Sequence, residues 1–572
     1  MALTEEQSRC REVILSQDYA DFVVSYGGNL EVMIEAYDPV CYEVIDSQFV
    51  VIHRPLPPDG RLNPDAYSYN LIPDVMGLLD TTSMEQSGIL PVHYSPGSGF
   101  RGNGVMVGVI DTGIDYTHPA FRFSNGVTRV LSIWDQTIQS DQVPERFPYG
   151  TVYSREQIDE ALTSEEPFSV VPTRDEDGHG TFIAGIMAGS EDLANGFIGA
   201  APEASIAVVK LKPAKEYLRE HYILKEGSLA YQETDVMMAV EFLRGQSRRY
   251  RMPLIICIGI GNGLGSHDGT SSLSQYFNIV NNITGIGIVA AAGNELGKAH
   301  HYAGFISRAE DSNTVELRVG EGERGFQMEL WGSLADVFSV EVISPEGERI
   351  ARSQSRLGQS QRVRLLFEET EIYIADKSAG LSGGQFLMVL QLRNPTPGIW
   401  TFRVFGDRIL NGHFNLWLPM EKFIREDTFF LSPEPDVTLV SIATTSSVVV
   451  TSNYNHYNDS LYIHSSRGFT SEGFIKPDVA APGVSVYGPV PGGGYGQRTG
   501  SSISAAHGAG AAALLMEWGL LNQIINNMDG NDIRRLLIQG AARKTGEVYP
   551  NQGWGYGTLN LKNTFETLRV VR

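Results

Sequence analysis

The sequence predicts a doubly wound, three-layer α/β domain with a parallel sheet, together with a small α+β N-terminal unit and an inserted all-β sandwich or jelly roll. Three observations lead to this fold class. Apolar runs typical of buried parallel strands alternate with helical stretches through most of the chain. A compact β/α/β pattern precedes them and ends in a Pro- and Gly-rich linker. From about residue 305 the pattern changes to uninterrupted strand periodicity. We therefore divide the 572 residues into segments 1–67, 68–304, 305–435 and 436–572.

Composition limits the classes of partner. The net charge of −23 at pH 7 argues against nucleic acid and anionic membrane surfaces as partners. The three cysteines, Cys10, Cys41 and Cys257, are far apart and odd in number, so we expect neither a disulfide framework nor a zinc site. The N-terminus has no basic region followed by an apolar one, and no apolar run is long enough to span a bilayer. We expect a soluble protein without a signal peptide.

The first unit is defined by residues 18–54. Tyr19–Tyr26 alternates like a strand, Leu30–Ala36 has the pattern of a helix, and Phe49–His53 is strand-like again. The sequence PLPPDGRLNPD follows and predicts a linker. A small edge subdomain of the main fold is the plainer interpretation of this unit.

Buried strands of the main domain begin at Val105–Pro119, an apolar run with Asp111 at the strand's carboxyl end. Ser205–Leu211, Leu254–Ile260 and Ile286–Ala292 repeat the pattern, with helical stretches such as Thr234–Leu243 between them. Because ligands bind beyond the carboxyl ends of such strands, side chains at these ends are functional candidates.

Three side chains stand at such turns. Asp111 ends the first strand, although an acid there also serves as a helix cap. His179 lies between two glycines where a turn enters an apolar helix, and a histidine satisfied by backbone is the alternative. Asn294 follows the strand Ile286–Ala292 and offers an amide donor for an oxyanion.

The all-β segment contains eight alternating strands separated by turn residues at short intervals, such as Asn394–Gly398. Helical periodicity is absent from it. We expect this segment to fold as a sandwich that supplies no reacting group.

Arg498–Leu515 is the stretch on which the second half of the main domain depends. It consists almost wholly of small and apolar residues, which predicts a buried helix. Ser502 would lie on its first turn, where free N–H groups face any negative charge that forms beside the hydroxyl.

Asp111, His179 and Ser502 occur in one of the chain orders known for a nucleophile–base–orienter triad. Serine is a poor nucleophile until an imidazole takes its proton, and a carboxylate must orient that imidazole. Asn294 and the Ser502 backbone N–H would form the oxyanion hole. The order argues against an esterase, in which the acid usually lies between serine and histidine.

Four blocks, VIDTGIDYTHP, DGHGTFIAGI, AAGNE and GSSISAAHGAG, resemble the signature blocks of the subtilisin-like serine proteases. The N-terminal segment and the β insertion further resemble the clostridial germination-type branch. The resemblance implies a serine endopeptidase that acts on protein or peptide substrates and processes a spore-cortex hydrolase precursor. It also implies a cytoplasmic or spore-associated location, with non-classical export left open.

The sequence departs from the family pattern at three positions near the predicted site. Ser501 replaces a threonine, Phe182 replaces a histidine and Ala506 replaces a proline. No reacting group is lost. The loop Asp192–Pro202 is shorter than the family's calcium loop, so we expect no metal and no cofactor.

The resemblance also assigns substrate-binding residues. Gly259, Ile260 and Gly261 correspond to one wall of the primary specificity pocket and Ala291, Ala292 and Gly293 to the other. Leu229, Ala230 and Tyr231, in the segment 229–232, correspond to an edge strand that pairs with the substrate backbone. Ordinary sheet and loop packing is the alternative for all three segments.

The resemblance makes residues 1–67 a propeptide. We expect self-cleavage between Tyr67 and Ser68, with the tyrosine ring in the pocket between Gly259 and Gly261 and the freed segment retained as an inhibitor. Cleavage after Arg61 is the second choice, because Glu295 near the pocket mouth would favour a basic residue. A catalytically idle relative that acts as a germination sensor or scaffold is the rival function.

Overall fold

The computed structural model describes residues 5–27, 29–60, 62, 67–68, 71–73, 75–78, 83–84, 86–94, 99–353, 359–378 and 384–570.

The N-terminal unit is a three-stranded antiparallel sheet with two helices. Its elements are α1 (Glu5–Leu15), β1 (Tyr19–Ser25), α2 (Leu30–Tyr37), β2 (Cys41–Val44) and β3 (Phe49–Pro55). The sheet order is β1-β3-β2. Asn29 caps α2 by accepting a hydrogen bond from the Val32 N–H. The predicted β/α/β pattern therefore lies within a larger unit, in which α1 and β2 were not predicted.

The expectation that the cysteines form no disulfide is wrong for two of them. Cys10 and Cys41 form a disulfide, and their Cα atoms are 5.5 Å apart. Spacing along the chain could not indicate the pair, because it is the packing of α1 beside β2 that brings the two residues together. Cys257 is a buried free thiol in the main sheet.

The first half of the α/β domain contains nine strands and seven α-helices within the described residues. The strands are β4 (Val75–Leu78), β5 (Met106–Asp111), β6 (Val130–Asp135), β7 (Thr151–Ser154), β8 (Ser205–Lys210), β9 (Tyr231–Gln232), β10 (Leu254–Ile258), β11 (Ile260–Gly261) and β12 (Ile286–Ala291). The helices are α3 (Leu90–His93), α4 (Arg155–Thr163), α5 (Pro167–Val170), α6 (His179–Ala188), α7 (Glu216–His221), α8 (Glu233–Tyr250) and α9 (Ser272–Asn281), with a 3₁₀ helix at Pro119–Phe121.

The inserted unit is a sandwich of two antiparallel sheets. Its strands are β13 (His301–Phe305), β14 (Ser312–Val319), β15 (Gly325–Ser333), β16 (Val337–Ile343), β17 (Arg349–Ile350), β18 (Ser360–Arg364), β19 (Glu371–Asp376), β20 (Gln385–Arg393), β21 (Gly398–Arg408), β22 (His413–Trp417) and β23 (Phe429–Phe430). One sheet has the order β13-β22-β15-β20-β19-β18 and the other β17-β16-β21-β14-β23. Among its described residues the only helix is the 3₁₀ turn Glu421–Phe423. Alternate residues of the facing strands fill a separate hydrophobic core.

The second half completes the α/β domain. Its elements are a 3₁₀ helix (Ser441–Thr444), β24 (Val449–Asn455), β25 (Ser460–Leu461), β26 (Val479–Pro482), β27 (Val486–Val490), β28 (Gly494–Arg498), α10 (Ser501–Met516), a π-helical turn (Glu517–Leu521), α11 (Gly530–Gly540) and α12 (Leu561–Val570).

The main sheet joins both halves and confirms the predicted fold class. Its order is β25-β24-β12-β10-β5-β8-β6-β7, with β26 paired to β24. The strands from β24 to β6 pair in parallel. Residues of α6 and α10 pack into one hydrophobic core and those of α8 and α9 into a second. The carboxyl end of β5 therefore opens between helices on both faces, where a site is expected.

Helix α10 is buried along its whole length, as its small residues predict. A β-carbon built at Gly510 would lie 2.2 Å from the Ala200 Cβ, and one at Gly508 would lie 2.9 Å from the Thr451 Cγ2. Only glycine permits these approaches, so the helix carrying Ser502 is fixed closely against the sheet.

A further sheet is made of three short strands in the order β11-β4-β9. Within the described residues, no helix is long and apolar enough to cross a membrane.

Candidate active site

Asp111 is the last residue of β5, at the carboxyl end of the central parallel strands. Its side chain is 1% exposed, and its Oδ1 accepts a hydrogen bond of 2.7 Å from the Thr112 N–H. The Leu211 N–H binds its carbonyl oxygen at 3.0 Å, which continues the pairing with the strand alongside. The carboxylate is therefore held by its own turn and by the neighbouring strand.

His179 is the first residue of α6 and is 2% exposed. Its Nδ1 lies 2.8 Å from Asp111 Oδ1 and 2.9 Å from Oδ2. A β-carbon at Gly180 would lie 2.2 Å from the Gly113 carbonyl oxygen, so glycine is required for the helix to start this close to β5. The Gly-His-Gly motif thus allows close contact between α6 and the end of β5.

Ser502 is the second residue of α10, and its Oγ lies 3.0 Å from His179 Nε2. Gly500 precedes the helix with φ 151°, and its N–H donates to the Gly483 carbonyl at 2.9 Å. The three predicted side chains from three distant segments therefore form one hydrogen-bonded chain, in the order carboxylate, imidazole, hydroxyl.

Asn294 is hydrogen-bonded to the N-terminal end of α10. Its Oδ1 accepts a hydrogen bond of 3.0 Å from the Ser501 N–H, and the Ser501 Oγ accepts one of 3.2 Å from the Gly293 N–H. The Nδ2 group of the same amide is its hydrogen-bond donor. Ser501, which replaces the family's threonine, keeps a hydroxyl that ties Gly293 to the helix.

Asp175 was not predicted; it lies two residues before the block that contains His179. Its carboxylate is 4% exposed and accepts hydrogen bonds from Thr112 Oγ1, the Gly178 N–H, and the N–H and Oγ1 of Thr181, at 2.6–2.9 Å. These groups belong to the turns that follow Asp111 and flank His179. Its position four residues before the histidine was the available signal, but only the fold shows that it joins the two turns.

The two predicted pocket walls lie next to the nucleophile. A β-carbon at Gly259 would lie 3.0 Å from Ser502 Cβ and 3.4 Å from His179 Cε1. Gly261 and Gly293, one from each wall, both face the side chain of Val440. Of the remaining wall residues, Ile260, Ala291 and Ala292 are buried in the core.

The groove between β11 and β9 is occupied by the protein's own strand β4. Leu78 pairs with Ile260 and Gly77 with Gly261, both antiparallel. On the other side Met76 pairs with Tyr231 and Val75 with Gln232. The edge predicted to bind a substrate backbone and one predicted pocket wall are thus bridged by an internal segment in the antiparallel manner of an added strand.

The remaining residues of the predicted edge lie outside this ladder. Leu229 is 46% exposed, and the carbonyl of the buried Ala230 accepts a hydrogen bond from the Ala214 N–H.

The predicted position of Tyr67 is wrong. Its ring does not enter the pocket but stacks on Phe22 of β1, with 4.4 Å between ring centroids. Apolar packing against the N-terminal sheet holds this ring, and the segment in the groove begins eight residues later, at Val75. Ser68 is half-buried, and residues 63–66 of the predicted join lie outside the described residues.

Glu295 does not offer an open charge at the pocket mouth. It is 6% exposed; its Oε2 receives a hydrogen bond of 2.9 Å from His300 Nδ1 and one of 3.3 Å from the Glu421 N–H. Glu421 belongs to the inserted unit, so the sandwich contacts the residue that was predicted at the pocket mouth.

A buried ionic cluster joins the N-terminal unit to the α/β domain. Asp21 Oδ1 lies 2.7 Å from Lys215 Nζ and 2.6 Å from His53 Nδ1, and His53 Nε2 lies 3.1 Å from Glu43 Oε2. Gln232 Nε2 donates to Asp21 Oδ2 at 2.7 Å.

The pKa values of three of these groups are shifted, and burial lowers that of Lys215. Burial alone would lower the pKa of His53, but Asp21 and Glu43 outweigh it and raise the pKa above its ordinary value. Burial acts to raise the pKa of Asp21, whereas Lys215 and His53 hold it well below its ordinary range.

A doubly wound domain with a hydrogen-bonded Asp–His–Ser array at the carboxyl end of its sheet defines the class of triad hydrolases. The sequence comparison then assigns the family. Residues 102–361 and 427–557 match the model of the subtilase family, so the chain belongs to the subtilase family of serine proteases.

Known proteins show the same likeness. The structure of the Clostridium perfringens CspB protease superimposes with a TM-score of 0.76 at 32% identity, covering 85% of this chain and 97% of that one. The minor extracellular protease Vpr of Bacillus subtilis is 22% identical over 83% of this chain. Thermitase of Thermoactinomyces vulgaris is 24% identical over 41% of it. The match spans only part of the length of these relatives, 53% of Vpr and 63% of thermitase.

Proposed function

We propose that the protein is a serine endopeptidase whose nucleophile is Ser502. The observation that carries this proposal is the continuous hydrogen-bonded chain from Asp111 through His179 to Ser502 Oγ. His179 Nε2 would accept the hydroxyl proton as Oγ attacks the scissile carbonyl, and Asp111 would stabilise the resulting imidazolium. The same proton then passes to the leaving amine, and water repeats the sequence on the acyl-enzyme.

Asn294 Nδ2 and the Ser502 N–H would hold the oxyanion. The amide oxygen of Asn294 is bound to the Ser501 N–H, so its donor group is oriented before substrate arrives. A donor fixed in advance costs no reorganisation during the reaction, which is why such groups lower the barrier.

The N-terminal segment would act as an inhibitor in cis. Support comes from β4, which pairs on both edges of the groove, and from the buried contact between Asp21 and Lys215.

The register of β4 indicates where along the segment the bond for self-cleavage lies. Ile260 pairs with Leu78, and Gly259, the next residue along the wall, faces Ser502. We therefore place self-cleavage beyond Leu78, so that the new N-terminus lies within residues 79–83. This replaces the bond after Tyr67.

A precursor of a spore-cortex hydrolase is the physiological substrate that we propose, on the likeness to the germination-type branch and to the CspB protease. The rival proposal, an idle sensor or scaffold, is disfavoured by the assembled triad. We expect no nucleic acid and no membrane among the partners, in keeping with the charge of −23.

The test compares hydrolysis of a mixed peptide library by the wild-type chain, Ser502→Ala and Ser504→Ala. Ser504 is a matched control, because its hydroxyl lies on the same helix but donates to the Ala481 carbonyl at 2.9 Å. We expect hydrolysis by wild type and Ser504→Ala and none above background by Ser502→Ala. Equal rates in wild type and Ser502→Ala would reject the assignment.

A further inference from the structure

One sheet of the sandwich packs its outer face against the α/β domain and buries polar side chains there. Along β15, Met328 and Leu330 belong to the sandwich core, whereas Trp331 belongs to a core of the α/β domain. Gln327 and Glu329 lie on the same face as Trp331, because side chains alternate along a strand, and they are 2% and 0% exposed. Buried polar groups at such an interface require hydrogen-bond partners.

These partners form a continuous polar row across the face. Gln391 Nε2, on the neighbouring strand β20, donates to Gln327 Oε1 at 2.9 Å, and Gln327 Nε2 donates to Glu329 Oε1 at 2.7 Å. At one end of the row, Gln391 Nε2 also donates to the carbonyl of His221, the last residue of α7, at 3.0 Å. At the other end, Glu329 Oε2 accepts a hydrogen bond of 3.0 Å from the Gly265 N–H.

Both ends of the polar row are attached to segments that form the groove. The Arg219 guanidinium of α7 donates to the Ser228 carbonyl at 2.9 Å, and the Ala214 N–H donates to the Ala230 carbonyl at 2.8 Å. These two bonds tie α7 and the residues before it to the approach of β9. Gly265 follows shortly after the end of β11. The polar row therefore connects the segment before one edge of the groove with the segment after the other.

We infer that Glu329 is a positioning residue that holds β9 and β11 at the distance that admits one extended strand. A strand between two edges needs about 4.7–4.9 Å on each side, so a small change in the distance between the edges weakens pairing on at least one of them. The inserted sandwich fixes this distance from outside the α/β domain. Binding of substrate in the groove rests on the proposed peptidase function, whereas pairing of β4 with both edges does not.

The experiment measures amide hydrogen exchange of residues 75–78 in the uncleavable Ser502→Ala chain. Adding Glu329→Ala removes an acceptor from the Gly265 N–H and from Trp331 Nε1. We expect exchange at residues 75–78 to become about 10-fold faster, as befits the loss of one or two buried hydrogen bonds. Glu329→Gln should restore the rate of the parent chain, because its amide oxygen can still accept from both donors.

Asp336→Ala is the matched control. Asp336 is a buried carboxylate of the same sandwich, 1% exposed, and it accepts the N–H groups of Leu410, Asn411 and Gly412 at 2.5–2.9 Å. All of these groups belong to the sandwich itself. Loss of Asp336 should therefore loosen the sandwich locally and leave exchange of residues 75–78 unchanged.

Unchanged exchange in Glu329→Ala would overturn the inference, and so would equal acceleration in Asp336→Ala or in Glu329→Gln. If Glu329→Ala does not fold, Gln391→Met breaks the polar row at its other end and should accelerate the same exchange; an unchanged rate there would also overturn the inference. Absence of Ser502-dependent hydrolysis is a separate result, because it would reject the peptidase function and leave the exchange measurement unaffected.

Discussion

At the scale of single residues, hydrogen bonds from outside the Asp–His–Ser array hold the turns of the candidate site together. The Asp175 carboxylate accepts four hydrogen bonds from the turns that carry Asp111 and His179. The triad and Asn294 were predictable, because their motifs combine a reactive side chain with glycines at strand and helix ends. Asp175 was not, because a buried acid has no local signature and acquires its role only from neighbours that include residues distant in sequence.

Asp175→Asn should lower kcat about 10–100-fold with little change in KM. An amide nitrogen would face N–H donors where a carboxylate oxygen now accepts, and losing about 1.5–3 kcal/mol of such bonding would misplace His179. Asp177→Asn, on the same turn but exposed, is the control. Steady-state kinetics with a thermal unfolding midpoint would separate misplacement from unfolding. An unchanged kcat would show that Asp175 has no positioning role.

Asn294→Ala should reduce kcat by about 10²–10³-fold, since it removes one oxyanion donor worth about 3–4 kcal/mol. KM should change little, because the donor acts mainly in the transition state. Steady-state kinetics on one peptide substrate would check this. A loss confined to KM would argue for a role in ground-state binding instead.

The docking of the N-terminal unit should weaken as pH rises. The pKa of His53 is raised in the folded protein, so its stabilising contribution is complete below the ordinary pKa of 6.5 and is lost as pH rises through the raised value. Hydrogen exchange of residues 19–55 in the uncleavable Ser502→Ala chain, measured from pH 6 to pH 9, would follow this. Adding His53→Gln should flatten the pH dependence; an undiminished dependence would assign it to another group.

At the scale of elements, strand β4 occupies the groove between β9 and β11. Its four residues, Val75–Leu78, bridge β9 and β11, which lie more than 150 positions further along the chain. A strand this short has too few residues for its periodicity to indicate a partner, so the sequence pointed instead to the linker near Tyr67. Longer strands, such as β5 and β12, were predicted because continuous apolar runs mark burial on both faces.

Gly77→Pro should weaken inhibition in cis. Proline has no N–H and cannot complete the pairing opposite Gly261, so β4 should release the groove more readily. In a Ser502→Ala background, limited proteolysis should cut residues 71–84 faster in the proline variant than in a Gly77→Ala control. Equal rates in the two variants would show that pairing at Gly77 does not hold the segment in place.

At the scale of the whole molecule, the two ends of the inserted sandwich lie next to each other. The Phe430 N–H donates to the Ala299 carbonyl at 3.0 Å, and the Glu434 N–H donates to the His301 carbonyl at 2.9 Å. The insertion therefore does not interrupt the α/β sheet. This explains why the change from strand–helix alternation to continuous strand periodicity could be recognised in the sequence. The contact between Glu421 and Glu295 was not, because it joins the insert to a residue of a different domain that is distant in sequence.

The most direct test of a self-processing serine peptidase is the intact mass of the wild-type and Ser502→Ala chains, produced and purified in parallel. We predict that the wild-type chain is cut once, with a new N-terminus within residues 79–83, and that Ser502→Ala remains a single uncut chain. An uncut wild-type chain, or the same cut in both proteins, would contradict the account.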